Sequence, residues 1–144
     1  MKEKINKILG FVYDNLGMVL YILVWLGIVI YFWLEVSGTE AFGFTLISFY
    51  LVLPLASLAV AVYYGAGEDR IRYFIPLICG AFEVLGGFFT FQCANMISNG
   101  RWNTWNTPDL VMGLYTFIPA LAGLGIGLLI RFIRKKIGKQ AEKV

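Results

Sequence analysis

Glu83 is the residue of this chain whose type and position most suggest chemistry. It lies inside an apolar run, eleven residues after Arg72, and therefore about 16 Å along a helix and near the middle of a bilayer. A charged carboxylate at that depth costs about 2.5–3.5 kcal/mol on insertion scales, so the side chain is expected to face protein or water. Two interpretations stay open. The carboxyl group responds to protons or cations in a transport path, or it is protonated and hydrogen-bonds to a neighbouring helix.

The spacing of the remaining polar residues does not decide what Glu83 contacts. No lysine or arginine lies at its depth, and the neutral candidates are Ser57, Thr116, Tyr21 and Tyr31. The chain has no histidine, which excludes Ser-His-Asp triads and the common histidine-based metal sites. The two cysteines are 14 residues apart on one apolar stretch, about 21 Å on a helix, and cannot form a disulfide. Because the common catalytic and metal-binding residue patterns are absent from the sequence, we predict no enzyme activity, no metal and no cofactor.

The composition of the chain indicates that the elements around Glu83 lie in a membrane. The chain has 144 residues, of which 59% are apolar and 15% charged, against about 45–50% and about 25% in soluble domains. The apolar residues form four stretches, at about 11–34, 41–64, 73–96 and 110–130. Each is long enough to span a bilayer as a helix, and no period-two alternation indicates a barrel. The prediction is an all-α polytopic integral membrane protein, one domain over residues 1–144 with a bundle of four transmembrane helices.

The charges predict which end of the bundle faces the cytoplasm. Eleven of the twelve basic residues fall at the termini and in the loop at 65–72, and only Arg101 falls on the other side. This positive-inside bias places both termini in the cytoplasm of a multi-pass protein, in a bacterial cytoplasmic membrane. The basic tail at 131–144 is expected to contact anionic lipid headgroups and not nucleic acid. Its contact residues are Arg131, Arg134, Lys135, Lys136 and Lys139.

Small residues line two helix faces, which favours close packing between helices. Glu83 shares a face with Gly80, Gly87 and Thr90, and the fourth span carries Ala120, Gly123 and Gly127 on one face. We expect the second face to pack against the first within one chain, and a subunit interface stays open as the alternative. Three prolines, Pro54, Pro76 and Pro119, stand within the spans and permit kinks.

Three function classes follow from these features. The first is a small non-enzymatic integral membrane protein, an accessory or structural subunit that partners the anionic bilayer and a homo-oligomer or larger membrane complex. The second is a small oligomeric transporter or channel, coupled to protons or cations, in which Glu83 is the membrane-embedded carboxylate. An intramembrane enzyme is the third and weakest class, since the sequence places no catalytic partner beside Glu83.

Overall fold

A computed structural model describes residues 15–68, 70–100 and 109–141 of the chain. Across these residues the structure is helical, and four helices are long and apolar enough to cross a membrane. This confirms the predicted all-helical class and the presence of four helices that could span a membrane, while residues 11–14 of the first predicted span lie outside the described residues. The helices are α1 (Leu16–Glu35), α2 (Ala41–Ala66), α3 (Ile75–Ser98) and α4 (Leu114–Ala141).

The helix ends differ by a few residues from the predicted spans, most clearly in α4. This helix begins at Leu114 and continues to Ala141, so the basic segment is helical from Arg131 to Ala141. Lysine, arginine, glutamine and alanine are good helix formers, so the helix can continue beyond the apolar span. The chain turns after α1 and α2 at Val36 and Gly67, which adopt extended backbone. It turns after α3 at Gly100, which has φ 60°.

Contacts between helices define an up-down-up-down bundle. Tyr21 and Trp25 of α1 contact Cys79 and Phe82 of α3 in the same order, so these two helices run parallel. Leu58 and Val62 of α2 meet Gly123 and Gly127 of α4, again in the same order. The start of α1, the α2–α3 connection and the end of α4 therefore lie at one end of the bundle, here called the Glu68 end. The α1–α2 connection lies at the opposite end, here called the Ser37 end.

Two helices contain a π-helical turn near their middle. In α2 it covers Ser48–Val52 and in α3 it covers Phe88–Gln92. Pro54 follows the first turn closely and has no N–H to donate; just before it, Leu53 N–H donates to Ser48 O, five residues back. Pro119 lies inside α4, whereas Pro76 lies in the first turn of α3, where a proline removes no helical hydrogen bond.

The surface of the bundle is apolar and its interior is aromatic. Large side chains such as Leu34 and Phe42 are each 75% exposed, as expected where lipid replaces water as the solvent. Inside, Phe32, Phe44 and Phe49 pack with Phe91 at ring distances between 5.0 and 6.2 Å. Both cysteines are free thiols, which confirms the interpretation drawn from their spacing.

Candidate functional site

The candidate site is the environment of the Glu83 carboxyl group. Glu83 lies in α3, about 12 Å along the helix from Ile75, and is 0% exposed. Neither of its carboxyl oxygens has a hydrogen-bond partner among the described residues. The ion pairs of the described chain join Glu68 to Arg131 and Lys135, and Glu83 takes part in none of them. A fully buried carboxyl group is thus held in the bundle without a polar contact of its own.

The other three helices each contribute a hydroxyl group to a hydrogen-bond network at Cys79, which lies four residues before Glu83 in α3. Thr116 of α4 and Tyr21 of α1 both donate to the backbone carbonyl of Cys79, at 3.1 and 3.4 Å. Ser57 of α2 donates to Thr116 O at 3.0 Å and to Pro54 O at 2.8 Å. All three side chains are buried, with at most 1% exposed. These bonds connect all four helices at this level.

This arrangement shows why the proposed partners of Glu83 do not bind it. Tyr21, Ser57 and Thr116 lie in the interior, as candidates must, but their hydroxyls donate to backbone carbonyls. Tyr31 is 57% exposed and stacks on Phe44. A hydroxyl bound to a carbonyl can still accept a hydrogen bond, yet none from Glu83 is present.

Aromatic rings of α1 and α2 pack against α3 at Gly86, three residues after Glu83 and toward the Ser37 end. Trp25 Nε1 of α1 donates to Phe82 O at 2.7 Å. At Gly86 an added Cβ would lie 3.0 Å from Trp25 Nε1 and 3.0 Å from the Phe49 ring. Thr90 Oγ1 donates to Gly86 O at 2.8 Å and is fully buried. Glycine at position 86 therefore lets α1 and α2 close over α3 next to the carboxyl group.

Trp25 is a functional candidate that the sequence reasoning missed. Tryptophan is common at membrane interfaces, but Trp25 falls in the middle of its span. A buried indole N–H needs an acceptor, so a tryptophan at this depth is itself a signal of a polar contact between helices. Its acceptor, Phe82 O, belongs to the residue that precedes Glu83.

The small residues of the two predicted packing faces lie at helix contacts within the chain, on two different partners. An added Cβ at Gly80 would lie 3.1 Å from Gly113 O, and one at Gly87 would lie 3.1 Å from Met112 Sδ. Gly123 and Gly127 approach the backbone of α2 at Leu58 and Val62. The small-residue face of α4 therefore contacts α2 through its glycines. Helix α4 meets α3 toward the start of α4, where Thr116 contacts Cys79. Ala120 is fully buried.

The basic residues predicted to contact lipid headgroups divide into two groups. Arg131 and Lys135 lie 3.1 and 3.7 Å from Glu68 Oε1. Arg134 lines a cavity of about 470 Å³ near Gly67, and Lys136 is exposed on α4. The side chain of Lys139 lies outside the described residues. Ion pairing with Glu68 therefore reduces the positive charge that Arg131 and Lys135 present.

Comparisons with protein-family models, with curated proteins and with solved structures find no match to this chain.

Proposed function

We propose that this chain is a small, non-enzymatic membrane transporter or channel in which Glu83 binds and releases a proton or a monovalent cation. The observation that carries the proposal is the fully buried Glu83 carboxyl group with no hydrogen-bond partner among the described residues. A glutamic acid kept only to join helices would donate its proton to an acceptor on another helix. An unmade hydrogen bond of a buried polar group costs about 1–3 kcal/mol, and groups retained at such a cost are concentrated at functional sites.

The surroundings of Glu83 supply what such a carboxyl group needs. Hydroxyl groups from Tyr21, Ser57 and Thr116 lie one turn away and still have acceptor capacity for a proton or a small cation. The two π-helical turns, at Ser48–Val52 and Phe88–Gln92, lie on the side of the Ser37 end. Such turns recur at functional positions in helices, and here they are the points at which α2 and α3 can rearrange to open Glu83.

A second candidate is an accessory or structural subunit of a larger membrane complex, in which Glu83 has no transport role. The observation in its favour is an apolar groove of about 300 Å³ between α1 and α2. Small residues, Gly17, Ala56 and Ala59, lie along this groove and permit close approach of a further helix. A homo-oligomer would use the same surface.

Both candidates share one proposed orientation. The Glu68 end carries Arg70, Arg72 and the basic residues of α4, and the positive-inside rule places it in the cytoplasm of a bacterial cell. Anionic headgroups then meet Arg134 and Lys136.

Reconstitution in liposomes tests the proposal and separates the two candidates. Proton, Na⁺ and K⁺ gradients are applied in separate runs, and flux through the wild type is compared with Glu83→Gln. The matched control is Glu68→Gln, which makes the same chemical change at a carboxylate that is 79% exposed. We expect flux in the wild type and in Glu68→Gln, and its loss in Glu83→Gln. Correctly inserted wild-type protein that passes none of these ions overturns the transport proposal and leaves the accessory subunit.

A further inference from the structure

The Ser37 end of the bundle contains an acidic cleft that is separate from Glu83. It lies between the end of α1 and the first half of α2, has a volume of about 430 Å³, and is lined in part by Tyr31, Glu35, Glu40, Phe44 and Ser48. Tyr31 and Glu35 are four residues apart on α1, and Glu40, the residue that precedes α2, is followed at steps of four by Phe44 and Ser48. Residues at this spacing share one face of a helix, so each helix presents one continuous lining.

The rim of the acidic cleft is negative. Glu35 and Glu40 are both exposed, and among the described residues neither has a lysine or arginine partner, since the ion pairs lie at the Glu68 end. Ser37 fixes Glu40 by donating from its N–H at 3.4 Å and from its Oγ at 3.0 Å. Two carboxylates at one opening attract a cation and repel an anion.

The wall of the acidic cleft is aromatic. Tyr31 and Phe44 stack at a ring-centroid distance of 6.2 Å with an interplanar angle of 20°, which joins α1 to α2. Phe44 is only 8% exposed, whereas Tyr31 is 57% exposed, so part of the Tyr31 ring stays available to a ligand. The face of an aromatic ring attracts organic cations.

The interior of the acidic cleft contains a polar group that points to a ligand independently of the acids. Ser48 lines the cleft and is only 7% exposed. Its hydroxyl has no hydrogen-bond partner among the described residues, in contrast to Ser37, Ser57 and Ser98. Because the Ser48 oxygen is not sealed from the cleft, its hydroxyl is available to donate or accept one hydrogen bond with a bound molecule.

From this combination we infer that the acidic cleft binds a small organic cation of the ammonium class. A bare metal ion needs several oxygen ligands within about 2.0–2.6 Å, whereas two glutamates on separate helices around about 430 Å³ leave room for an organic molecule. The carboxylates neutralise its charge, Tyr31 contacts its cationic or aromatic face, and Ser48 accepts or donates one hydrogen bond. The site does not depend on the transport proposal, because binding needs no movement across the membrane.

Titration calorimetry of the detergent-solubilised full chain with benzylammonium, whose N–H groups can donate to Ser48, tests the inference. Binding to the wild type is expected to weaken by at least about tenfold in Glu35→Gln/Glu40→Gln and in Tyr31→Ala, which remove the charge and the ring separately. Glu68→Gln and Glu83→Gln are expected to bind like the wild type, and benzyl alcohol, a neutral probe of similar shape, is expected not to bind. Raised ionic strength is expected to weaken the interaction.

Two outcomes would overturn the inference. The first is a wild type that gives no heat beyond the probe's transfer into empty detergent micelles. The second is a double glutamine variant that is folded, with wild-type helicity, and binds the probe unchanged. Loss of ion flux in Glu83→Gln with retained binding in the acidic cleft would show that the two sites are independent.

Discussion

At the scale of single residues, the question set by this chain is why a carboxyl group is kept inside an apolar bundle. The depth of Glu83 follows from its distance along the sequence, and its burial in the bundle follows from the cost of exposing it to lipid. Neither its position in the sequence nor the cost of exposure predicts that the carboxyl group has no hydrogen-bond partner among the described residues. Tyr21, Ser57 and Thr116 were all plausible donors or acceptors, and the structure uses them to join helix backbones instead.

A substitution that replaces the carboxyl group by an apolar group on an unbranched side chain of similar length is expected to stabilise the fold. Glu83→Met replaces an unpartnered buried polar group by an unbranched apolar side chain, and relief of its desolvation raises the free energy of unfolding by about 1–3 kcal/mol. Thermal unfolding in detergent measures the shift. A clear loss of stability would show that the carboxyl group makes a structural contact.

The contrasting substitution removes a hydroxyl group that does have a partner. Thr116→Val keeps the shape of the side chain but deletes its bond to Cys79 O. Hydrogen bonds between helices in membranes are worth about 0.6 kcal/mol on average and at most about 1.7 kcal/mol, so a small decrease in stability is expected in the same unfolding assay. A stabilised Thr116→Val would contradict the network described around Cys79.

At the scale of helices, the bundle is held by backbone contact between α2 and α4. Gly65 and Gly127 face each other, and a Cβ added at Gly127 would lie 2.6 Å from Val62 O and 2.7 Å from Gly65 Cα. Without a hydrophobic driving force between helices in lipid, such close packing is a main source of association. Glycine here is a requirement of the interface and not of the helix.

Two alanine substitutions on α4 separate these roles of glycine. Gly127→Ala forces two backbones apart and is expected to lower stability by about 1–3 kcal/mol, the usual cost of overpacking. Gly125→Ala is the matched control two residues earlier, where nothing lies within 4 Å of an added Cβ; it is expected to be neutral or to stabilise by about 0.5–1 kcal/mol. Unfolding of both variants in mixed micelles measures the difference, and equal effects would contradict the α2–α4 contact.

Much of this element-level description could be predicted from the sequence. Four apolar stretches become four helices, because lipid leaves the backbone no other way to satisfy its hydrogen bonds. The glycine face of α4 is visible as Gly123 and Gly127, but spacing within one helix does not state which neighbour it meets, and the partner is α2. The π-helical turns carry no clear sequence signal beyond Pro54, since each is a shift of one hydrogen bond within an otherwise regular helix.

At the scale of the whole molecule, the described residues at the two ends of the bundle differ in charge. The Glu68 end carries the basic residues of α4 and of the Arg70–Tyr73 turn, where Arg72 donates to Gly67 O and lies over the Tyr73 ring. The Ser37 end carries Glu35 and Glu40 around the acidic cleft. From the Ser37 end inward, the bundle contains the two acids, then the aromatic cluster of Phe44, Phe49 and Phe91, and then the level of Glu83. Part of the charge asymmetry, including Lys2, Lys4, Lys7, Arg101 and Lys143, falls on residues outside the described ranges.

This polarity predicts which end reacts with a reagent that cannot cross the membrane. Gly38→Cys and Gly138→Cys place one thiol at each end, at positions where an added Cβ meets nothing within 4 Å, in a Cys93→Ala background that retains the fully buried Cys79. Because basic loops stay in the cytoplasm, a membrane-impermeant maleimide is expected to label Gly38→Cys on intact cells and Gly138→Cys only after lysis. The reverse pattern would place the acidic cleft in the cytoplasm, and labelling of both variants on intact cells would show that the chain inserts in two orientations. Either result would contradict the proposed orientation, while the helix pairing within the bundle would stand.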